Sequence, residues 1–147
     1  MSGDKGLETL QVWQKAMTFV KDIYQTALPC LPNEEKWALA SQLRRSAQSI
    51  PANIAEGYGR YYYQETIRFC YIARGSLEET YTHLRLAHEL DYLPEEPYRN
   101  LNQQIQELHR MLNGYIAYLK RTKRGANEPG AGSAFKEAPL PYDINSE

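Results

Sequence analysis

What most constrains the fold of this chain is the spacing of its apolar residues between about positions 8 and 124, a stretch with only four glycines. Val12, Ala16, Phe19, Val20, Ile23 and Ala27 recur at helical intervals and fall on one face. Pro29 and Pro32 end that pattern. Asn33 stands where a helix N-cap is expected, and Glu34 and Glu35 suit the positive end of a helix dipole. A second helix then carries Leu39, Leu43, Ala47, Ile50 and Ile54 towards Gly57 and Gly59. A third pattern runs from about Gln64 through Phe69, Ala73, Ser76, Thr80, Leu84 and Ala87 to a break at Asp91–Pro94. A fourth opens near Pro97 and repeats at Leu101, Ile105, Leu108, Leu112, Tyr115 and Leu119, alternating steps of four and three. That alternation is the a/d seam of near-antiparallel helix packing. No strand-like run competes. The pattern predicts an all-α, up-down-up-down four-helix bundle.

One position breaks the local rules. Pro51 lies inside the second pattern, where it removes an amide hydrogen and crowds the carbonyl of Ala47, at a cost of about 3 kcal/mol. The apolar phase 39-43-47-50-54 passes through it undisturbed. A kinked second helix is therefore expected rather than two helices split at Ile50. Small residues surround the proline, and Gly75-Ser76 on the third helix is their expected counterpart, with close helix contact explaining a glycine that costs about 1 kcal/mol in a helix interior. Asn53 and Glu56 sit one turn apart beside Pro51. Asn53 is expected to bond a carbonyl freed by the proline and Glu56 to pair with Arg45 or Arg60 in a crowded interior; a ligand-contacting polar cluster is the alternative.

Composition bounds the function. There are 17 Lys plus Arg against 18 Asp plus Glu, and the net charge of −1 argues against a strongly basic nucleic-acid binder. The charge is uneven, however. Residues 125–147 contain one Lys and four acidic residues, with three Gly and three Pro. Such a segment buries too little to offset its chain entropy and is expected to be a disordered acidic tail. Residues 1–124 hold sixteen basic and fourteen acidic residues, so the expected folded domain, residues 7–124, is mildly basic. No stretch approaches the roughly 20 apolar residues of a membrane helix. Met1–Gly6 lacks the apolar core of a signal peptide. Cys30 and Cys70 form neither a disulfide framework nor a CxxC pair, which fits a reducing cytoplasm.

The residue inventory offers little chemistry. His83, His88 and His109 have no carboxylate three residues before them, as bundle di-iron sites require. No GxSxG, Walker loop or GxGxxG is present. Cys70 lies in an apolar stretch, where packing is its ordinary role. A non-enzymatic protein without metal or cofactor is expected.

Basic residues gather in three places: Arg44-Arg45; Arg60 and Arg68, flanking Tyr58, Tyr61, Tyr62 and Tyr63; and Lys120, Arg121, Lys123 and Arg124 at the end of the fourth helix. Adjacent Arg44 and Arg45 point about 100° apart on a helix, so one can pair within the chain while the other faces a partner. The tyrosine-rich turn has the composition of a base-stacking platform and equally of a subunit interface. The terminal cations also complement the helix dipole.

The segment Gln42-Leu-Arg-Arg-Ser-Ala-Gln-Ser-Ile-Pro-Ala-Asn-Ile-Ala-Glu-Gly57, followed by Gly59-Arg60, resembles the signature of the four-helix bundle proteins encoded in intervening sequences of bacterial 23S ribosomal RNA genes. Leu10–Ala16, Ala73–Glu79 and Arg110–Gly114 match in the same order, so that about residues 7–121 are covered. The same superfamily includes the accessory variability protein of diversity-generating retroelements, a pentameric bundle that binds nucleic acid and associates with a reverse transcriptase. The resemblance implies a four-helix bundle, a homopentamer, an RNA or DNA partner and no established enzymatic activity. Five copies would array each surface arginine around a ring that the monomer's net charge conceals. The expected function is thus a homo-oligomeric nucleic-acid-binding bundle; the alternative is a protein-interaction adaptor such as a reverse-transcriptase accessory subunit.

Overall fold

The computed structural model describes residues 4–123; Arg124 and the acidic segment 125–147 lie outside them. Within that range the chain is helical throughout, with no strand. Five α-helices follow one another: α1 (Asp4–Glu8), α2 (Gln11–Asp22), α3 (Leu39–Tyr58), α4 (Tyr63–Glu89) and α5 (Glu95–Thr122). The short α1 is one helix more than the apolar spacing predicts.

α2 loosens before it stops. Ile23–Ala27 form a π-helical turn and Leu28–Cys30 a 3-10 turn containing Pro29. Asn33 caps no long helix: Asn33–Glu35 form a separate 3-10 turn, and α3 starts only at Leu39. The N-cap residue is Ala38, which has no side-chain acceptor, and Glu35 serves in its place. Its Oε1 accepts the Leu39 N–H at 3.2 Å while Oε2 accepts the Tyr92 hydroxyl at 3.1 Å. α3 then runs unbroken through Pro51, which is itself buried. α4 ends in a turn where Asp91 takes a left-handed backbone (φ 65°), and Lys123 closes α5 in the same way (φ 49°).

The core is one continuous cluster. Val12, Ala16, Phe19 and Ile23 meet Leu43, Ala47, Ile50 and Ile54 from α3, with Ile67, Ala73, Leu77 and Leu84 from α4 and Leu101, Leu108, Leu112 and Leu119 from α5. α2 touches α3 and α5, α3 touches α4, and α4 touches α5, so each long helix has two neighbours in a closed cycle. The expected seam on α5 holds from Leu101 to Leu112, after which Ile116 takes the buried place expected of Tyr115. On α4 the buried set is Thr66, Ile67, Cys70, Ala73, Arg74, Leu77, Thr80, Leu84 and Ala87, while Phe69 and Ser76 lie half-buried at its edge.

Polar groups join α3 to α4. The Thr80 hydroxyl sits 2.9 Å from that of Ser46 and 2.8 Å from the Ser76 carbonyl, and the Ser49 and Ser76 hydroxyls are 2.8 Å apart. Farther along, the helices meet at Gly57, where an added Cβ would lie 2.8 Å from Phe69 Cβ and 3.1 Å from the Thr66 carbonyl. Gly57, not Gly75, is the glycine of close approach. Gly75 is exposed, and a Cβ there would meet nothing within 4 Å.

Candidate functional site

The chemistry-bearing residues lie on the surface, and the sequence groups them more tightly than the fold does. Asn53 is half-buried and donates to the Ser49 carbonyl and hydroxyl, both at 2.8 Å. It does not reach the Ala47 carbonyl that Pro51 deprives of a donor; its side chain folds back one turn on its own helix instead. Glu56 is exposed rather than in a crowded interior. It does pair with Arg60 (2.7 Å), whose guanidinium also lies 5.1 Å from the Phe69 ring centroid. With side chains 56% and 41% exposed, this (i, i+4) pair contributes at most a few tenths of a kcal/mol.

The four tyrosines beside Arg60 do not form one platform. Tyr58 is half-buried, with its hydroxyl against Gly6 of α1. Tyr63 packs on the core. Tyr62 is half-buried and meets Tyr61 edge-to-face at 5.2 Å. Of the four, Tyr61 alone is more than half exposed, at 53%. Arg68 is exposed on α4.

Arg44 and Arg45 part company, as their angular offset requires. Arg44 is half-buried and donates to the Lys36 carbonyl at 3.4 Å. Arg45 is exposed and makes no hydrogen bond or ion pair to any described residue. At the far end of α5 Lys120 is half-buried, Arg121 and Lys123 are exposed, and the Arg121 guanidinium lies 5.9 Å from the Tyr118 ring centroid.

Trp37 belongs to none of the four apolar patterns. It stands just before α3, outside every periodic register, and is 80% exposed. A tryptophan directly after the charged run Asn33-Glu-Glu-Lys36 and two residues before the first buried leucine of α3 was the available signal, because it cannot share that leucine's face.

Titratable groups inside the fold are occupied structurally. Burial pushes the Cys70 thiol up to about 12, with Arg74 partly opposing it. Each histidine faces a glutamate: His83–Glu79 at 3.4 Å, His88–Glu95 at 3.1 Å and His109–Glu78 at 2.8 Å. Among the described residues no three of His, Cys, Asp and Glu gather as a metal site would require. No described helix is long and apolar enough to cross a membrane.

Such a molecule is a helical scaffold with a packed core and with most of its charged side chains at the surface. The chain belongs to the 23S rRNA-intervening sequence protein family, whose model matches residues 8–114. It is also similar to a crystallised protein of unknown function from the S23 ribosomal protein family of Bacteroides thetaiotaomicron, with 29% identity and a TM-score of 0.66 over 71% of this chain and 97% of that one. No curated protein matches it.

Proposed function

We propose that this protein is a non-enzymatic, homo-oligomeric helical bundle that binds nucleic acid through basic side chains repeated around the assembly. Residues 7–124 form the bundle, its long helices alternate up and down, and α3 kinks at Pro51. Paired contacts support the alternation, since their order reverses between neighbours: Ser46–Thr80 and Ser49–Ser76 join α3 to α4, and Arg74–Asn113 and Glu78–His109 join α4 to α5. The observation that carries the functional reading is the outward placement of Arg45, Arg68, Arg121 and Lys123, in a family defined by its place in ribosomal RNA genes. Cations held in water release counterions when they meet phosphates, so the binding must weaken steeply with salt.

The test is size-exclusion chromatography with light scattering, with and without ribosomal RNA, at low and near-physiological salt. A mass several times that of one chain, with an RNA-dependent shift that fades as salt rises, supports the proposal. A monomer with no salt-sensitive shift overturns it. One observation favours the adaptor alternative: a groove of ≈ 510 Å³ between α2 and α5, lined by Leu10, Val12, Met111, Tyr115 and Tyr118, offers an apolar surface to a protein partner. Co-purification with a reverse transcriptase and no RNA binding would select it.

A further inference from the structure

The most exposed large apolar side chain of the described residues is Trp37, at 80%. An indole left in water has no part in the core. Its surroundings give it another. The Lys36 ammonium lies 5.1 Å from the Trp37 ring centroid. Arg44 donates to the Lys36 carbonyl, which brings its guanidinium to the same turn. Arg45 follows on α3, exposed and without a described partner. Gln48, one turn on, lies between Arg44 and Arg45 around the helix axis. Its amide donates to the hydroxyl of Tyr24, whose ring is 39% exposed. Lys36 thus lies beside the open Trp37 ring, and Arg44 and Arg45 lie on either side of Gln48, which holds Tyr24.

The nearby acids do not cancel this charge. Glu35 has one oxygen on the Leu39 N–H and the other on the Tyr92 hydroxyl. Glu34 remains exposed on the turn, so that two carboxylates, Glu34 and Glu35, stand against the three cations Lys36, Arg44 and Arg45 and leave a net positive charge.

We propose that the stripe formed by Trp37, Lys36, Arg44, Arg45 and Tyr24 holds an unpaired nucleic-acid strand. A base stacks on the Trp37 indole and the flanking phosphates meet the three cations. An exposed ring can stack only on a base that is not already stacked within a duplex, and stacking tolerates any base because each has a π-face. The inference rests on the nucleic-acid reading above. It narrows the ligand to single strands and moves the stacking surface from the Tyr58–Tyr63 turn to the start of α3.

The experiment is a titration of the full chain with oligoadenylate of about 12 nucleotides, within the range of single-strand site sizes, beside a duplex of equal length. Tryptophan emission is the readout. The chain has two tryptophans, and Trp13 is half-buried against the core, so stacking must quench mainly Trp37. The expected result is quenching by the single strand, its loss in Trp37→Ala with affinity falling about tenfold, and near-full affinity in Trp37→Phe. Arg45→Gln should lower the salt slope by about 0.7. Trp37→Ala should melt like the wild type, because the ring lies outside the core. Equal affinity for Trp37→Ala and wild type, or binding without quenching, overturns this inference while leaving the broader function standing. A change in oligomer mass in Trp37→Ala also overturns it, by making the indole a contact between copies. If no RNA of any form binds, the broader function fails and takes this inference with it.

Discussion

Two helical glycines, Gly57 in the last turn of α3 and Gly75 within α4, show what a single side chain can decide. At Gly57 a methyl group would meet Phe69 Cβ and the Thr66 carbonyl, and overpacked cores lose about 1–3 kcal/mol. At Gly75 the same methyl meets open space and removes a helix penalty of about 1 kcal/mol. Urea denaturation should therefore show Gly57→Ala less stable than the wild type and Gly75→Ala more stable; equal and opposite signs to these would refute the packing described. Cysteine chemistry separates as cleanly. With its thiol pushed up to about 12, Cys70 is thiolate at about one part in ten thousand at pH 8. Cys30 is only half-buried. A thiol reagent at that pH should label Cys30 in the native protein and Cys70 only after denaturation. At this scale the sequence is unevenly legible. Apolar positions announce burial through their period, whereas Trp37 sits in a turn that has none.

Between elements, the α3–α4 pair is joined by hydroxyls as well as by hydrocarbon. Thr80→Val keeps the shape of that side chain but takes away the group lying between the Ser46 hydroxyl and the Ser76 carbonyl. The Ser46 hydroxyl still donates to the Leu43 carbonyl at 3.3 Å, so losing the Thr80 bond should cost about 0.5–1.5 kcal/mol, visible as a lower denaturation midpoint with an unchanged slope. The second pattern was legible to the residue, since Leu39, Leu43, Ala47, Ile50 and Ile54 are all buried. Period alone could not separate Ser76 from Leu77, because a hydroxyl at a helix edge reads as apolar spacing until its partner is known. Nor could it foresee that Glu35 rather than Asn33 would cap α3, because that depends on a turn brought there by two prolines.

For the molecule as a whole, the proposed assembly sets the strength of any nucleic-acid contact. Residues 125–147 hold one Lys and four acidic residues, and they follow directly on the basic end of α5. Deleting them should tighten RNA binding and steepen its salt dependence if the acidic residues compete for the same cations; unchanged affinity would refute that competition. The arrangement of the long helices carries one more consequence, for the order in which they come together. Ser49 and Ser76 are 27 residues apart along the chain, while the Asp22–Gln104 contact between α2 and α5 spans 82. Closing the longer loop costs about 1 kcal/mol more chain entropy. Tyr24–Gln48 spans 24 residues and closes as readily, so chain entropy sets only the α2–α5 contact late. The hydroxyl contacts and the close approach at Gly57 make the α3–α4 hairpin the expected folding nucleus, with the first and last long helices clasping it afterwards. Amide hydrogens of α3 and α4 should be the last to exchange with solvent, and those of α2 and α5 should open together as the latch of the fold.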